Sequence, residues 1–411
     1  MIKVRISGEE DREKLIACAN GAFGDSIPES GFPGLLPKLY GPEARVGGNH
    51  LIAEEDGTFL GIVLAEPMEY RILGERLRIA GVGTVSVDGQ ARGRGIMRLL
   101  MDETVKRLKE EKYAFAFLGG QRQRYAYWGF EGCGTEMRFS WNQANLKHGP
   151  QIPESERIEL VPMGTSSGEG VGLKETDTGL TEAAWRMWQK EAVAVERDRE
   201  RFFSILCSWQ GKPYACMRQG RFVGYVVLSR EEGRDSAGIL ELVLEEGVSV
   251  TALLRALADC LGILQGTLKP GYARQDMLRE LEEICEGESL GCGHRFLILD
   301  WCLVLRAMMA LKQSSHPLED GEAILRIRDG EGRTEGIWIQ VREGCLRVAE
   351  ETERKPAATE EGGKEPVQVE FTASQAVRML FRSTQVHYKE LEGLPGSWFP
   401  LPLYVGEQDC C

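Results

Sequence analysis

The chain is 411 residues long, 42% apolar and 27% charged, with a formal net charge of −13. That length exceeds what one hydrophobic core supports and calls for roughly two to four domains of an ordinary globular protein. The acidic balance argues against a nucleic-acid partner, which needs clustered cations, and no apolar run approaches the roughly 18 residues of a membrane span.

The N-terminal segment lacks the basic, apolar, small-residue plan of a secretory signal. It reads as a strand over Ile2–Ile6 and a helix from Glu10 to Asn20. The 11 cysteines fall at no zinc spacing and the 5 histidines are far apart, so no metal is expected. The thiols suit a reducing cytosol, a cytoplasmic setting. Leu51–Leu64 reads as two strands around a tight turn at Gly57, a hairpin.

The segment Gly83–Met101, GTVSVDGQARGRGIMRLLM, is the most informative in the chain. Val85 and Val87 share one face of a strand. Ile96, Leu100, Thr104 and Leu108 fall on one stripe of a helix. Between them, Gln90 to Gly95 form a loop dense in Gly and Arg at a helix N-terminus. Such a terminus is an anion site, because its first N–H groups lack intrahelical partners and the helix dipole favours negative charge. Gly93 and Gly95 let a phosphate approach the backbone, and Arg92, Arg94 and Arg98 add charge. The spacing is not that of a Walker loop, and Arg98 stands where a dinucleotide fingerprint has its third glycine. A short apolar strand, Ala114–Leu118, follows. Then comes the aromatic run Arg124-Tyr125-Ala126-Tyr127-Trp128-Gly129-Phe130.

Tyr214–Val227 parallels Leu51–Leu64, with Gly220, Phe222 and Gly224 matching Gly57, Phe59 and Gly61 at a constant offset. Two copies of one domain are expected. In the second, a strand over Ile239–Leu244 leads through Glu245-Glu246-Gly247 to a helix ending near Leu261. Two carboxylates stand where the first copy has Gln and Arg, and they would repel a diphosphate. Residues 150–172 read as a linker or surface loop. A third unit is expected from Phe296. It comprises a strand and helix in FLILDWCLVLRAMMAL, three strands at 323–329, 336–341 and 345–348, a mobile polar loop over 350–366, a strand at 367–371 and a helix at 373–381. The fold class is α/β (α+β), with tandem mixed sheets flanked by helices and a small α+β unit. The expected divisions are 1–149, 150–295 and 296–411.

Gln90, Gly93 and Gly95 fit the pattern Q/R-x-x-G-x-G/A, and Tyr125 stands four residues ahead of Gly129-Phe130. The segment resembles the pyrophosphate loop of the GNAT superfamily of acyl-CoA-dependent N-acyltransferases. The last unit resembles the sterol carrier protein fold, and the three units together resemble the enhanced intracellular survival family of acetyltransferases. The resemblance implies acetyl-CoA as cosubstrate and a primary amine of a small cationic molecule, such as an aminoglycoside or polyamine, as acceptor. It implies that Val85, Ser86 and Val87 pair with the pantetheine arm. Gln90, Arg92, Gly93, Arg94, Gly95, Ile96, Met97 and Arg98 are then the diphosphate segment. It further implies Tyr125 as general acid, the α-carboxylate of Cys411 as general base, and a homo-oligomer, commonly a hexamer.

Two features depart from that family. Gly119 to Arg124 replaces a Ser-Glu pair, and the sequence finishes Asp-Cys-Cys rather than on an aromatic residue. Asp25, Glu29 and Glu66 are other carboxylates open to the base role, and Arg122 or Arg124 could bridge the cleft or meet phosphate. The alternative function is a scaffold that binds coenzyme A or an apolar ligand without turnover.

Overall fold

The structure, a computed structural model, describes residues 1–166, 173–229, 234–354, 365–383 and 386–411. The end of the expected linker and most of the expected polar loop lie outside those residues. The architecture is mixed α/β, as the sequence predicts.

The first sheet runs in the order Lys3–Ile6, His50–Glu55, Thr58–Ile72, Glu75–Val87, Phe115–Leu118, Arg295–Ile298, Glu131–Gly132, with Val193–Val195 paired to the far end of Thr58–Ile72. Its one parallel contact joins Glu75–Val87 to Phe115–Leu118. The second sheet runs Gly287–Gly291, Glu136–Asn142, Gln265–Leu268, Ser236–Leu244, Arg221–Ser229, Lys212–Arg218, Glu159–Pro162. Its one parallel contact joins Ser236–Leu244 to Gln265–Leu268. The two sheets therefore share a topology. The third sheet has four strands, in the order Cys345–Glu350, Thr334–Arg342, Gly321–Arg328, Val367–Thr372.

The sequence repeat survives in backbone detail. Both hairpin turns place two residues at positive φ, Asp56 (50°) and Gly57 (79°) in one, Gln219 (52°) and Gly220 (73°) in the other. That is the type I′ geometry whose twist suits a two-residue hairpin. Both hairpins also carry a register slip at the matching place, between Ala53 and Glu54 and between Cys216 and Met217.

Sheet membership crosses the expected boundaries three times, first where Val193–Val195, expected within 150–295, joins the first sheet. Glu136–Asn142, expected within 1–149, lies in the second sheet between Gly287–Gly291 and Gln265–Leu268. Arg295–Ile298, expected to open the third unit, lies in the first sheet between Phe115–Leu118 and Glu131–Gly132. The reason is packing. Phe296 is 1% exposed and its ring centroid lies 5.9 Å from that of Phe115 and 6.3 Å from that of Phe117, while Phe139 and Trp141 are buried in the second core. Alternation in a sequence identifies a strand but not its partner.

Helix Ile96–Glu110 covers one face of the first sheet through Ile96, Leu100, Met101 and Leu108. The opposite face shares a core with the third unit, in which helix Trp301–Ser315 buries Val304, Leu305, Met308 and Leu311. The end of the chain threads this core, with Leu401, Leu403 and Val405 at 0–1% exposure. No described helix is long and apolar enough to cross a membrane.

Candidate active site

Strand Glu75–Val87 is the spine of the site. It pairs along its length with Thr58–Ile72, but with Phe115–Leu118 only where Ile79–Gly81 face Phe115–Phe117. Beyond that point the two parallel strands part, and the edge Val82–Val87 has no strand partner on that side among the described residues. A register slip marks the place: Ile62 faces Ser86, yet Leu64 faces Gly83, so the spine carries one extra residue. This is a β-bulge. Thr84 sits at φ 45°, a region a β-branched residue rarely adopts and holds only where its surroundings enforce it. The enforcement is visible. The buried Tyr40 hydroxyl donates to Thr84 Oγ1 at 2.8 Å and lies 2.9 Å from His50 Nε2. Ser86 is 1% exposed and its hydroxyl has no partner.

The loop after the spine starts with Asp88 Oδ1 accepting from the Gln90 N–H at 2.8 Å. Gly93 and Gly95 follow at φ 80° and 77°, and nothing lies within 4 Å of where a side chain would project from either. Helix Ile96–Glu110 begins there, and Leu99 N–H bonds Gly95 O at 3.0 Å. The N–H groups of Ile96, Met97 and Arg98 precede that bond and are the free donors of the helix end. Ile96 packs in the core and Met97 against it, while Gln90, Arg92, Gly93, Arg94 and Gly95 are exposed. Arg94 ion-pairs with Glu55 at 2.8 Å, and the Arg98 guanidinium lies 4.7 Å from the Tyr127 ring centroid and bonds its hydroxyl. Arg92 is exposed and makes no ion pair among the described residues.

Tyr125 ends the single turn Arg122–Tyr125 and is 8% exposed. Burial raises its phenol pKa, with Arg124 acting in the opposite direction, so it stays protonated at neutral pH. Arg122 is not in the cleft: it ion-pairs with the buried Glu131 at 2.9 Å.

Alternation along the spine brings two groups to opposite sides of the parted strands. Ala80 and Val82 face the cluster that holds Tyr125 and Leu118. Gly81 and Gly83 face the end of the chain. A Cβ on Gly83 would lie 2.7 Å from the terminal carboxyl carbon of Cys411, and one on Gly81 would lie 2.7 Å from the Cys411 sulfur. Burial pushes that thiol up to about 12, against the opposing pull of Lys38. Glu66 faces Gly81 across the ladder, accepts from Asn49 Nδ2 at 2.7 Å and ion-pairs with Arg201 at 3.1 Å. Lys38 is 4% exposed and donates to Gln408 O at 2.5 Å. Glu29 is exposed, and nothing is described of the Asp25 side chain.

Val85–Val87, the loop 90–98 and Cys411 thus converge on one strand, with Tyr125 packed beside it. Glu66 is one of the three alternative carboxylates named from sequence, whereas Gly81, Gly83, Lys38, Arg201 and the Tyr40–His50 pair were not singled out as a site. Only the glycines left a signal: Gly-x-Gly inside a strand marks the close approach of another chain segment. Among the described residues no group of three or more His, Cys, Asp or Glu could hold a metal.

Residues 3–132 match the acetyltransferase (GNAT) domain family. No curated protein matches the chain. Its fold is similar to that of Eis1 from Mycobacterium abscessus, at 13% identity and TM-score 0.61, covering 99% of this chain and 98% of that one. A probable N-acyltransferase from Enterococcus faecalis V583 is similar at 16% identity and TM-score 0.58, with 91% and 89% covered. A GCN5-related N-acetyltransferase from Kribbella flavida is similar at 14% identity and TM-score 0.57, with 92% and 88% covered. Residues 3–132, about a third of the chain, thus match a GNAT acetyltransferase domain, and the chain as a whole shares its fold with these structures.

Proposed function

We propose that the protein transfers an acetyl group from acetyl-CoA directly to a primary amine of a small cationic acceptor. The observation that carries this reading is one continuous backbone surface. The unpaired edge Val82–Val87 runs into a helix N-terminus with open space before Gly93 and Gly95. An extended pantetheine arm can add to such an edge as a strand does, and a diphosphate suits such a helix end. These residues therefore fit the coenzyme.

The chemistry is attack of a neutral amine on a thioester. The amine must sit about 3–3.5 Å from the carbonyl carbon, and holding it there is mostly an entropic gain. A backbone N–H of Ser86 or Val87 supports the developing oxyanion. Tyr125, kept protonated by burial, donates to the leaving thiolate. The α-carboxylate of Cys411, seated over Gly83, takes the proton from the incoming ammonium, directly or through a water. A net charge of −13 favours approach of a cationic acceptor.

The test is a thiol-release assay over aminoglycosides, polyamines and peptide N-termini, beside a calorimetric titration with coenzyme A. Gly95→Glu places a side chain at φ 77° and a negative charge at the helix end, so it should abolish coenzyme binding. Tight coenzyme binding in that variant would sink the proposed cradle. Coenzyme binding by the wild type with no thiol released from any amine would favour a scaffold.

A further inference from the structure

The second unit keeps the shape of the coenzyme wedge but not the means to hold a coenzyme. Its central strand Ser236–Leu244 pairs with Gln265–Leu268 only over Ser236–Ile239. Just beyond, its register against Arg221–Ser229 slips: Leu228 faces Ile239 while Val227 faces Glu241. A bulge followed by parted parallel strands is the arrangement that opens the first unit. The helix that follows, Val250–Leu261, has its free donors already taken. The Glu280 carboxylate accepts from the N–H groups of Val250 and Thr251, both at 2.9 Å, and Ser249 caps Ala252 at 3.2 Å. A diphosphate finds neither donors nor positive charge there.

The chain's own end packs into this wedge instead. The turn Glu407–Asp409 packs against Ser236–Leu244. Asp409 binds Arg197 through both oxygens, at 2.8 and 3.0 Å, and Arg197 binds Glu241 of the unpaired edge at 2.9 and 2.6 Å. The side chains of Arg197, Glu241 and Asp409 are 1%, 8% and 5% exposed. Tyr225 donates to Glu241 at 2.7 Å, and the guanidinium lies 3.7 Å from the centroid of the Trp188 ring. Two residues earlier, Glu407 pairs with Lys269, which directly follows Gln265–Leu268. Between them, the first unit reaches across with Lys38 to the carbonyl of Gln408.

We propose that the wedge of the second unit is the receptor for the carboxyl-terminal segment, and that Arg197 is a positioning residue acting through Asp409 on Cys411. The step from 409 to 411 spans at most about 7 Å, so a fixed Asp409 leaves Cys411 little room to stray from Gly83. The grip is strong for its type, because planar bidentate pairing on two sides fixes direction as well as distance. What the seat serves rests on the acetyl transfer proposed above, but the seat itself can be read without turnover.

The experiment is thiol labelling of Cys410 and Cys411 with a maleimide, followed by peptide mass mapping. Asp409→Asn leaves Arg197 bidentate on Glu241, so the second core keeps a balanced pair. Labelling of the last two residues should rise at least tenfold, with the melting temperature near that of wild type. The triple change Arg197→Met, Glu241→Gln and Asp409→Asn removes the charges at similar volume and should do the same. Labelling as slow as wild type in both variants overturns the receptor. In the acetylation assay the same variants should lose kcat at least tenfold with KM for acetyl-CoA unchanged, and the low-pH limb of the kcat profile should be altered. Full kcat with an unaltered pH profile, despite fast labelling, overturns the positioning role. If wild type acetylates no amine, the function proposed above fails, and the labelling still decides for or against the receptor.

Discussion

Gly83 carries the tightest steric demand in the first wedge. A methyl group there would lie 2.7 Å from the carboxyl carbon and 2.7 Å from an oxygen of Cys411, inside any permitted contact. Gly83→Ala should therefore push the terminal carboxylate off the spine while the strand pairing survives, at about 1–3 kcal/mol of stability for the overpacking. Loss of a positioned proton acceptor costs about 10²–10⁴-fold, so kcat should drop by about 10²-fold or more with coenzyme affinity intact. Gly81→Ala is the control. Its methyl meets the Cys411 sulfur at 2.7 Å and the Met68 terminal carbon at 3.0 Å, both ends of side chains that can turn aside. Equal losses in the two variants would argue against the carboxylate. Tyr125→Phe keeps the ring packed and removes one hydroxyl. It should lower kcat by roughly 10–100-fold with KM for acetyl-CoA little changed, and unaltered turnover would take the phenol out of the mechanism. At this scale the proposed phosphate loop and Tyr125 stand out in the sequence because their patterns are local. Lys38 and Arg201 do not, because their partners lie more than a hundred residues away and ordinary surface lysines and arginines look the same in sequence.

The bulge at Thr84 is the element that opens the wedge, and it is held by Tyr40, whose hydroxyl also meets His50. His50 is 1% exposed, and burial pulls its imidazole down to about 4. An unfolded histidine titrates near about 6.5. Between those values the unfolded chain takes up a proton that the folded chain does not, so stability falls as pH falls through that window. Each pH unit well inside it costs about 1.4 kcal/mol, about 3 kcal/mol in all. Glu335, raised to about 7 by burial, acts in the opposite sense over nearly the whole of the same range. The informative quantity is thus a difference between variants. Denaturant unfolding of wild type and His50→Gln at pH 7.5, 6.5, 5.5 and 5 should show wild type losing more stability on acidification, by about one proton. Parallel curves would mean that His50 is not held neutral. The two hairpins of the sequence repeat were legible down to their turn residues, because Asp-Gly and Gln-Gly dipeptides between apolar runs specify them locally. The bulge itself was not, since period-two alternation in VGTVSV carries no mark of an extra residue.

At the scale of the whole molecule the units do not follow the chain in blocks. The first sheet borrows Arg295–Ile298 from beyond the second, and the second borrows Glu136–Asn142 from the first. The end of the chain then runs through the core shared by the first and third units into the second wedge. Sequence reading divides the chain into three units, because repeats and turn signals punctuate it. It missed the exchange because an apolar strand states its own period and not its neighbour. The exchange makes the first unit dependent on residues it does not contain. A fragment of residues 1–149 lacks the strand that covers Phe115 and Phe117, and it also lacks helix Trp301–Ser315, which closes the opposite face. It retains instead a strand with no sheet to join. Such a fragment should collapse without fixed packing, with far-ultraviolet circular dichroism near that expected for its elements, near-ultraviolet signal lost and strong binding of a hydrophobic dye. Coenzyme A should not stabilise it, because the parting of Glu75–Val87 from Phe115–Leu118 depends on what pairs with the far side of Phe115–Leu118. A dispersed amide spectrum and a cooperative melt for 1–149 would show that the wedge is built locally, and that the shared strands serve assembly rather than the site.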